Sequence, residues 1–217
     1  HTLEVVALGR GNPLSGGARV AIAGLQYSAA AAAPSYGAGG GPAAAQRMIF
    51  GYCGRKDYVD RDGHSWRPAT EFVARTGYGT DVVERLLWTT RRTMYIGHTE
   101  DEEIYRYGAH GEKFWSNITV APGRYNVRLH FASTPLHPFL EQDPEGGWKR
   151  YVLNVDINGQ REIEALDVAK EAGGTFLALT KTIENVAPRH GIIEVLLTGV
   201  DGREAILQAL EVIPVNE

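Results

Sequence analysis

In "GRYNVRLHFA" (123–132), apolar side chains fall on every second position from Tyr125 through Val127 and Leu129 to Phe131. Asn126, Arg128 and His130 lie between them, so the period of two predicts a strand with one face in a core and His130 on the outer face. Comparable runs recur at 47–53, 86–97, 103–107, 113–120, 150–157, 160–165, 175–186, 190–198 and 204–214. "VAPGRY" (120–125) and "INGQRE" (157–162) read as tight hairpin turns, the second with an Asn-Gly pair suited to positive φ. Helical candidates are short and fall at 81–86 and 166–172. Many antiparallel strands without regular intervening helices predict an all-β fold. Its expected form is a sandwich or jelly roll with one or two short helices.

The pattern breaks down between Gln26 and Gln46, where "QYSAAAAAPSYGAGGGPAAAQ" is interrupted by Pro34, Pro42 and a glycine cluster. The expected organisation is therefore an N-terminal segment, 1–46, of short strands and a linker-like stretch, followed by a sandwich over 47–217. The first segment is either packed on the sandwich or the end of a preceding domain. The strand 123–132 runs directly into "STPLHPFLEQDPEGGW" (133–148), which is apolar and stiffened by proline. Either that loop folds back over the sandwich or it forms a platform for a ligand.

Composition narrows the chemistry. A net charge of −4 without a Lys/Arg cluster argues against nucleic acid as a partner. No apolar run approaches the ~20 residues of a membrane helix. The single cysteine, Cys53, sits in "MIFGYCG" as a buried small hydrophobe, and it excludes an intrachain disulfide or thiolate-rich zinc site. "DRDGH" (60–64) begins like a calcium loop but lacks the later ligands, so a turn braced by aspartate is the simpler reading. No metal or cofactor is expected. The carboxylates Glu100, Asp101, Glu102, Glu103, Asp143 and Glu145 read as solvated loop charge, and no G-x-S-x-G nucleophile elbow is present.

Several segments together resemble a known family. "EEIYRYGAHGEKFWSNITVAPGRYNVRLHFAS" (102–133) is similar to malectin-like carbohydrate-binding domains. So are "RYVLNVDINGQREIEALDVAKEAGG" (150–174) and "GIIEVLLTGVDGREAILQALEVIPV" (191–215), while "DYVDRDGHSW" and "TGYGTD" look like the family's opening loops. The resemblance covers 48–215. It implies a jelly-roll β-sandwich of two antiparallel sheets that binds oligo- or polysaccharide without transforming it, through loops at one end that carry aromatic rings and an acidic residue.

Carried onto this chain, the resemblance points first to Tyr78, which Gly77 and Gly79 flank in "TGYGT". Tyr105 and Tyr107, two apart, are expected on one strand face with Tyr105 in the core, and either Tyr107 or His110 supplies a second sugar-facing group. The loop after "HFA" lacks the family's paired aromatics; His137 and Phe139 are the nearest candidates, with Trp148 at its far end. Asp201, in "TGVDGRE", is either the late acidic ligand or an ordinary turn residue, and Arg203 either bonds sugar hydroxyls or balances that charge. The expected function is a non-catalytic carbohydrate-binding module, secreted or periplasmic, with an adjacent catalytic domain in the same chain as a second partner. The alternative is a structural or protein-interaction sandwich within a multidomain secreted enzyme.

Overall fold

The computed structural model describes residues 43–52, 56–69, 72–74, 87–90, 93–135 and 143–215. The strands in chain order are β1 (Gln46–Ile49), β2 (Tyr58–Val59), β3 (Ser65–Pro68), β4 (Phe72–Ala74), β5 (Leu87–Thr90), β6 (Tyr107–Gly111), β7 (Lys113–Thr119), β8 (Tyr125–Ala132), β9 (Val152–Ile157), β10 (Gln160–Asp167), β11 (Ala178–Val186), β12 (Ile192–Gly199), β13 (Ala205–Leu207) and β14 (Ala209–Pro214). Two short helices, α1 (Glu102–Tyr105) and α2 (Val168–Ala172), interrupt them.

The described strands form a six-stranded sheet in the order β11-β8-β14-β1-β3-β2 and a five-stranded sheet in the order β10-β9-β12-β7-β4. Their inner faces meet through the alternating residues of each strand. Tyr125, Val127, Leu129 and Phe131 of β8 lie in one buried cluster with Phe114 and Ile118 of β7, Leu153 and Val155 of β9, and Ile193, Val195 and Leu197 of β12. The all-β sandwich read from the period-two pattern is therefore the fold. It departs from that reading in two ways: β1 pairs with β3 in parallel, and β13, β6 and β5 form a third, three-stranded sheet.

The predicted strand 103–107 divides into α1 and β6, so Tyr105 ends a helix while Tyr107 begins a strand. The expected shared strand face is corrected accordingly. Arg106 explains the helical turn: its guanidinium bonds Glu102 at i−4, and its backbone N–H donates to the Glu102 carbonyl. The run 204–214 likewise divides, with Gln208 at the junction; its amide donates to the Ala132 carbonyl and accepts from the Ala132 N–H. The Asn158–Gly159 turn has positive φ at both residues, as its sequence predicts.

The outer face of the six-stranded sheet is covered. Ile49, Ala132 and Ala209 form a second buried cluster with Trp66, Ile96, Ile104 and Tyr105. His130 is on that outer face but buried, and its ring joins the Tyr105 hydroxyl (2.8 Å) to the Glu211 carboxylate (3.0 Å). Arg47 and Arg128 complete the donors around Glu211. A buried carboxylate needs this many partners to offset its lost hydration.

Candidate functional site

Strand register brings several described strand ends to one end of the sandwich. β4 ends with Ala74 opposite Phe114, and β5 begins with Leu87 opposite His110, so both strand ends lie near the β6–β7 turn. β12 ends at the same place, because the Gly199 N–H donates to the Glu112 carbonyl at 2.7 Å. The next N–H, of Val200, donates to the Val152 carbonyl at the start of β9. Tyr151 forms a bridge with Glu204 there, so the segment entering β9 and residues 199–204 lie side by side.

A buried ion pair clamps the last two loops. Arg203 Nε and Nη2 donate to the two carboxylate oxygens of Asp143 at 2.9 and 2.8 Å, and both side chains are almost fully buried. Glu145 and Arg150 extend the network outward, Arg150 Nη2 donating to Glu145 at 2.7 Å. The Arg203 guanidinium holds the Asp143 carboxyl well below the usual range despite burial. Asp143 thus differs from the expected solvated charge. Its burial depends on an arginine sixty residues away, which local composition does not reveal.

Beside the clamp, the Glu204 carboxylate bonds His110 Nδ1 at 2.5 Å and accepts from Lys149 Nζ at 2.7 Å. Lys149 Nζ lies 5.2 Å from the centre of the Tyr151 ring, within cation–π range. Burial alone would raise the Glu204 pKa, but the bonds from His110 and Lys149 bring it from 4.5 down to about 2. A depressed folded-state pKa contributes stability above the unfolded value and loses it as pH falls. The urea midpoint is therefore expected to drop between pH 4.5 and about 2, with Glu204→Gln flattening that part of the profile. A Glu204→Gln profile that overlays the parent's would remove this carboxylate from the acid response.

The sequence-predicted residues divide by exposure. Trp148 is 51% exposed and Asp201 is exposed, both at this end. Asp201 and Gly202 have φ of 53° and 72°, and the Arg203 N–H donates to the Val200 carbonyl, which makes a two-residue primed turn. That turn holds the Asp201 side chain outward and delivers Arg203 inward. Tyr107 and His110, the alternative sugar-facing groups, are both buried, and so is Arg203. The Tyr107 ring sits edge-on to Tyr52, and its hydroxyl donates to Glu103; His110 and Arg203 hold carboxylates. Tyr78, His137 and Phe139, with Cys53, lie outside the described residues. Sequence reasoning passed over the structural roles of Asp143, Lys149 and Glu204. The one local signal was the proximity of Arg203 and Glu204 to the Asp-Gly turn.

At "DRDGH", the Asp60 carboxylate accepts from the His64 backbone N–H and from Trp66 Nε1, so that loop is an aspartate-braced turn. Asp143, Glu204 and Glu211 all have lowered pKa values, the reverse of what a general acid requires at neutral pH.

The malectin domain family model matches residues 50–210. Comparison with curated proteins finds no match. Among solved structures, the chain resembles Bacteroides uniformis β-glucuronidase 2 bound to cyclophellitol-6-carboxylate aziridine, with 16% identity and a TM-score of 0.56 over 79% of this chain. It resembles the ANXUR1 extracellular domain from Arabidopsis thaliana at 17% identity and a TM-score of 0.59 over 80% of this chain. The ANX2 ectodomain from the same plant matches at 16% identity and a TM-score of 0.58 over the same share. The chain spans only 18% of the glucuronidase and 42% of each ectodomain, and at these identities the likeness is one of fold.

Proposed function

Because the chain belongs to the malectin domain family, we propose that it is a non-catalytic carbohydrate-binding module of a larger, glycan-active enzyme acting outside the cytoplasm. Its ligand is an oligo- or polysaccharide bound at the end of the sandwich where the β6–β7 turn, residues 143–151 and residues 199–204 meet. The observation that carries this reading is the buried Asp143–Arg203 clamp, which fixes two of those loops while leaving Trp148 and Asp201 in solvent.

The chemistry follows from the shape of a sugar. A pyranose offers a hydrocarbon face, on which an aromatic ring stacks, and an equator of hydroxyls that a carboxylate bonds in pairs. Trp148 supplies a ring and Asp201 the carboxylate, and Tyr78, His137 and Phe139, which lie outside the described residues, are proposed as further sugar contacts. Tyr107, His110 and Arg203 act behind that surface as its supports. Loops held stiff by the clamp lose little freedom on binding. The lowered pKa values of Asp143 and Glu204 keep both carboxylates ionised, which unsuits them to protonate a glycosidic oxygen.

The second reading, a sandwich that serves as a spacer or protein contact, is favoured by the burial of Tyr107 and His110. A glycan array with the whole chain, followed by titration of the strongest neutral hit, separates the two. Affinity in the millimolar-to-micromolar range is expected, about −4 to −8 kcal/mol. Tyr78→Ala and Trp148→Ala are each expected to weaken it by about 1–3 kcal/mol, by analogy with ring stacking on bases. An array without hits, or a hit insensitive to both changes, favours the spacer.

A further inference from the structure

A second cleft lies among residues that the proposed glycan surface does not use. It has a volume of about 390 Å³, within the ~300–1,000 Å³ range of small-ligand sites. Its walls come from the turn before β8, the β9–β10 turn and the end of β11. The side chains that matter chemically are Arg124 and Arg189, Asn158 and Asn185, and Glu162 and Glu184.

The two arginines are held in place by neutral partners. Arg124 Nη1 donates to the Asn185 carbonyl at 2.9 Å, and Arg189 Nη1 donates to the Asn158 carbonyl at 2.8 Å. Among the described residues neither guanidinium forms an ion pair with a carboxylate, so each keeps its charge and its remaining N–H donors. The supporting backbone is fixed as well. Asn158 donates from Nδ2 to the Ala187 carbonyl and accepts the Glu194 N–H, while the Asn185 N–H donates to Asn126 Oδ1. Asn185 has a φ of 60° at a break in the β8–β11 register, which turns its carbonyl out of the ladder toward Arg124.

We propose that this cleft binds the carboxylate of an acidic saccharide, a uronic acid unit, independently of the glycan surface described above. A planar guanidinium matches a carboxylate better than any other side chain. The amides and the exposed Glu162 and Glu184 match a sugar's hydroxyls, while Ile157 and Ile183 offer apolar floor. A bare anion uses only the first of these features, and a neutral sugar only the others.

The test titrates the whole chain by ¹H–¹⁵N NMR with methyl glucuronide, methyl glucoside and sodium acetate as three separate probes. Methyl glucuronide is expected to give saturable shifts of the Arg124 and Arg189 Nε–H and the Asn158 and Asn185 side-chain amide signals. Binding of methyl glucoside and of acetate is expected to be at least about tenfold weaker, the scale of a hydrogen bond to a charged group. Arg124→Gln and Arg189→Gln should each weaken the glucuronide about tenfold. Both positions are exposed, and retained spectral dispersion confirms folding. Asp201→Ala, at the glycan surface, should leave these shifts unchanged, so loss of either site is visible apart from the other. Equal binding of the glucoside, equal binding of acetate, no saturable shift, or indifference to both arginine changes overturns the proposal.

Discussion

Arg203→Met is expected to cost about 3–5 kcal/mol of folding stability, the range for breaking a buried ion pair from one side. The size of the effect comes from what is left behind. Asp143 is 4% exposed, and with Arg203 gone its remaining cationic partner is Arg150, whose guanidinium bonds to it run from 3.4 to 3.5 Å. The carboxylate must then stay charged with poor solvation or take up a proton, and either route is unfavourable. Urea denaturation measures the loss as a lowered midpoint at unchanged slope. Replacing both partners, as in Asp143→Leu with Arg203→Met, should recover part of it, since no buried charge remains. A single-variant loss below about 1 kcal/mol, the range of surface pairs, would show that the clamp does not hold these loops.

Gly199→Ala carries the second large effect, for a different reason. A β-carbon at Gly199 would stand 1.9 Å from the Arg203 carbonyl oxygen and 2.8 Å from its carbon. Both are main-chain atoms, so no side-chain rotation relieves the overlap, and the turn carrying Asp201 must move. About 3 kcal/mol or more is expected, at the upper end of the cost of overpacking. Because the same turn delivers Arg203 to Asp143, the variant should also lose the protection of Asp143 against acid. A Gly199→Ala protein with parental stability would mean that residues 199–204 are free to shift.

How far the molecule can be read from its sequence depends on how local each interaction is. The alternation in β7, β8, β9 and β12 is visible because each inward residue meets the facing sheet at the same period. The Asn158–Gly159 turn is visible because its dihedral demand is met by two adjacent residues. β3 is harder to see: four residues with one buried tryptophan, joined to β1 in parallel through long-range pairing. The outer-face position of His130 follows from the alternation, but its burial does not. The cover over that face comes from α1 and Ile96, which are close only in the folded chain.

The candidate site shows the same division. An Asp-Gly turn at 201–202 is legible, and so is an exposed tryptophan in a glycine-rich loop. The reversal in which Arg203 lies inside while Asp201 lies outside is set by the hand of a two-residue turn. The burial of Asp143 is likewise fixed by its partner and not by its neighbours. Charge next to glycine and proline is usually solvated, and here a distant arginine overrides that tendency.

The account rests on one end of the sandwich, the end that carries Trp148 and Asp201, forming a saccharide surface. The most direct measurement is a crystal structure of the whole chain soaked with the strongest neutral hit from the array. Sugar density against Trp148 and Asp201, with the Tyr78 ring stacked on a pyranose face, is the result expected. Density along a sheet face, with the end that carries Trp148 and Asp201 left bare, would contradict it.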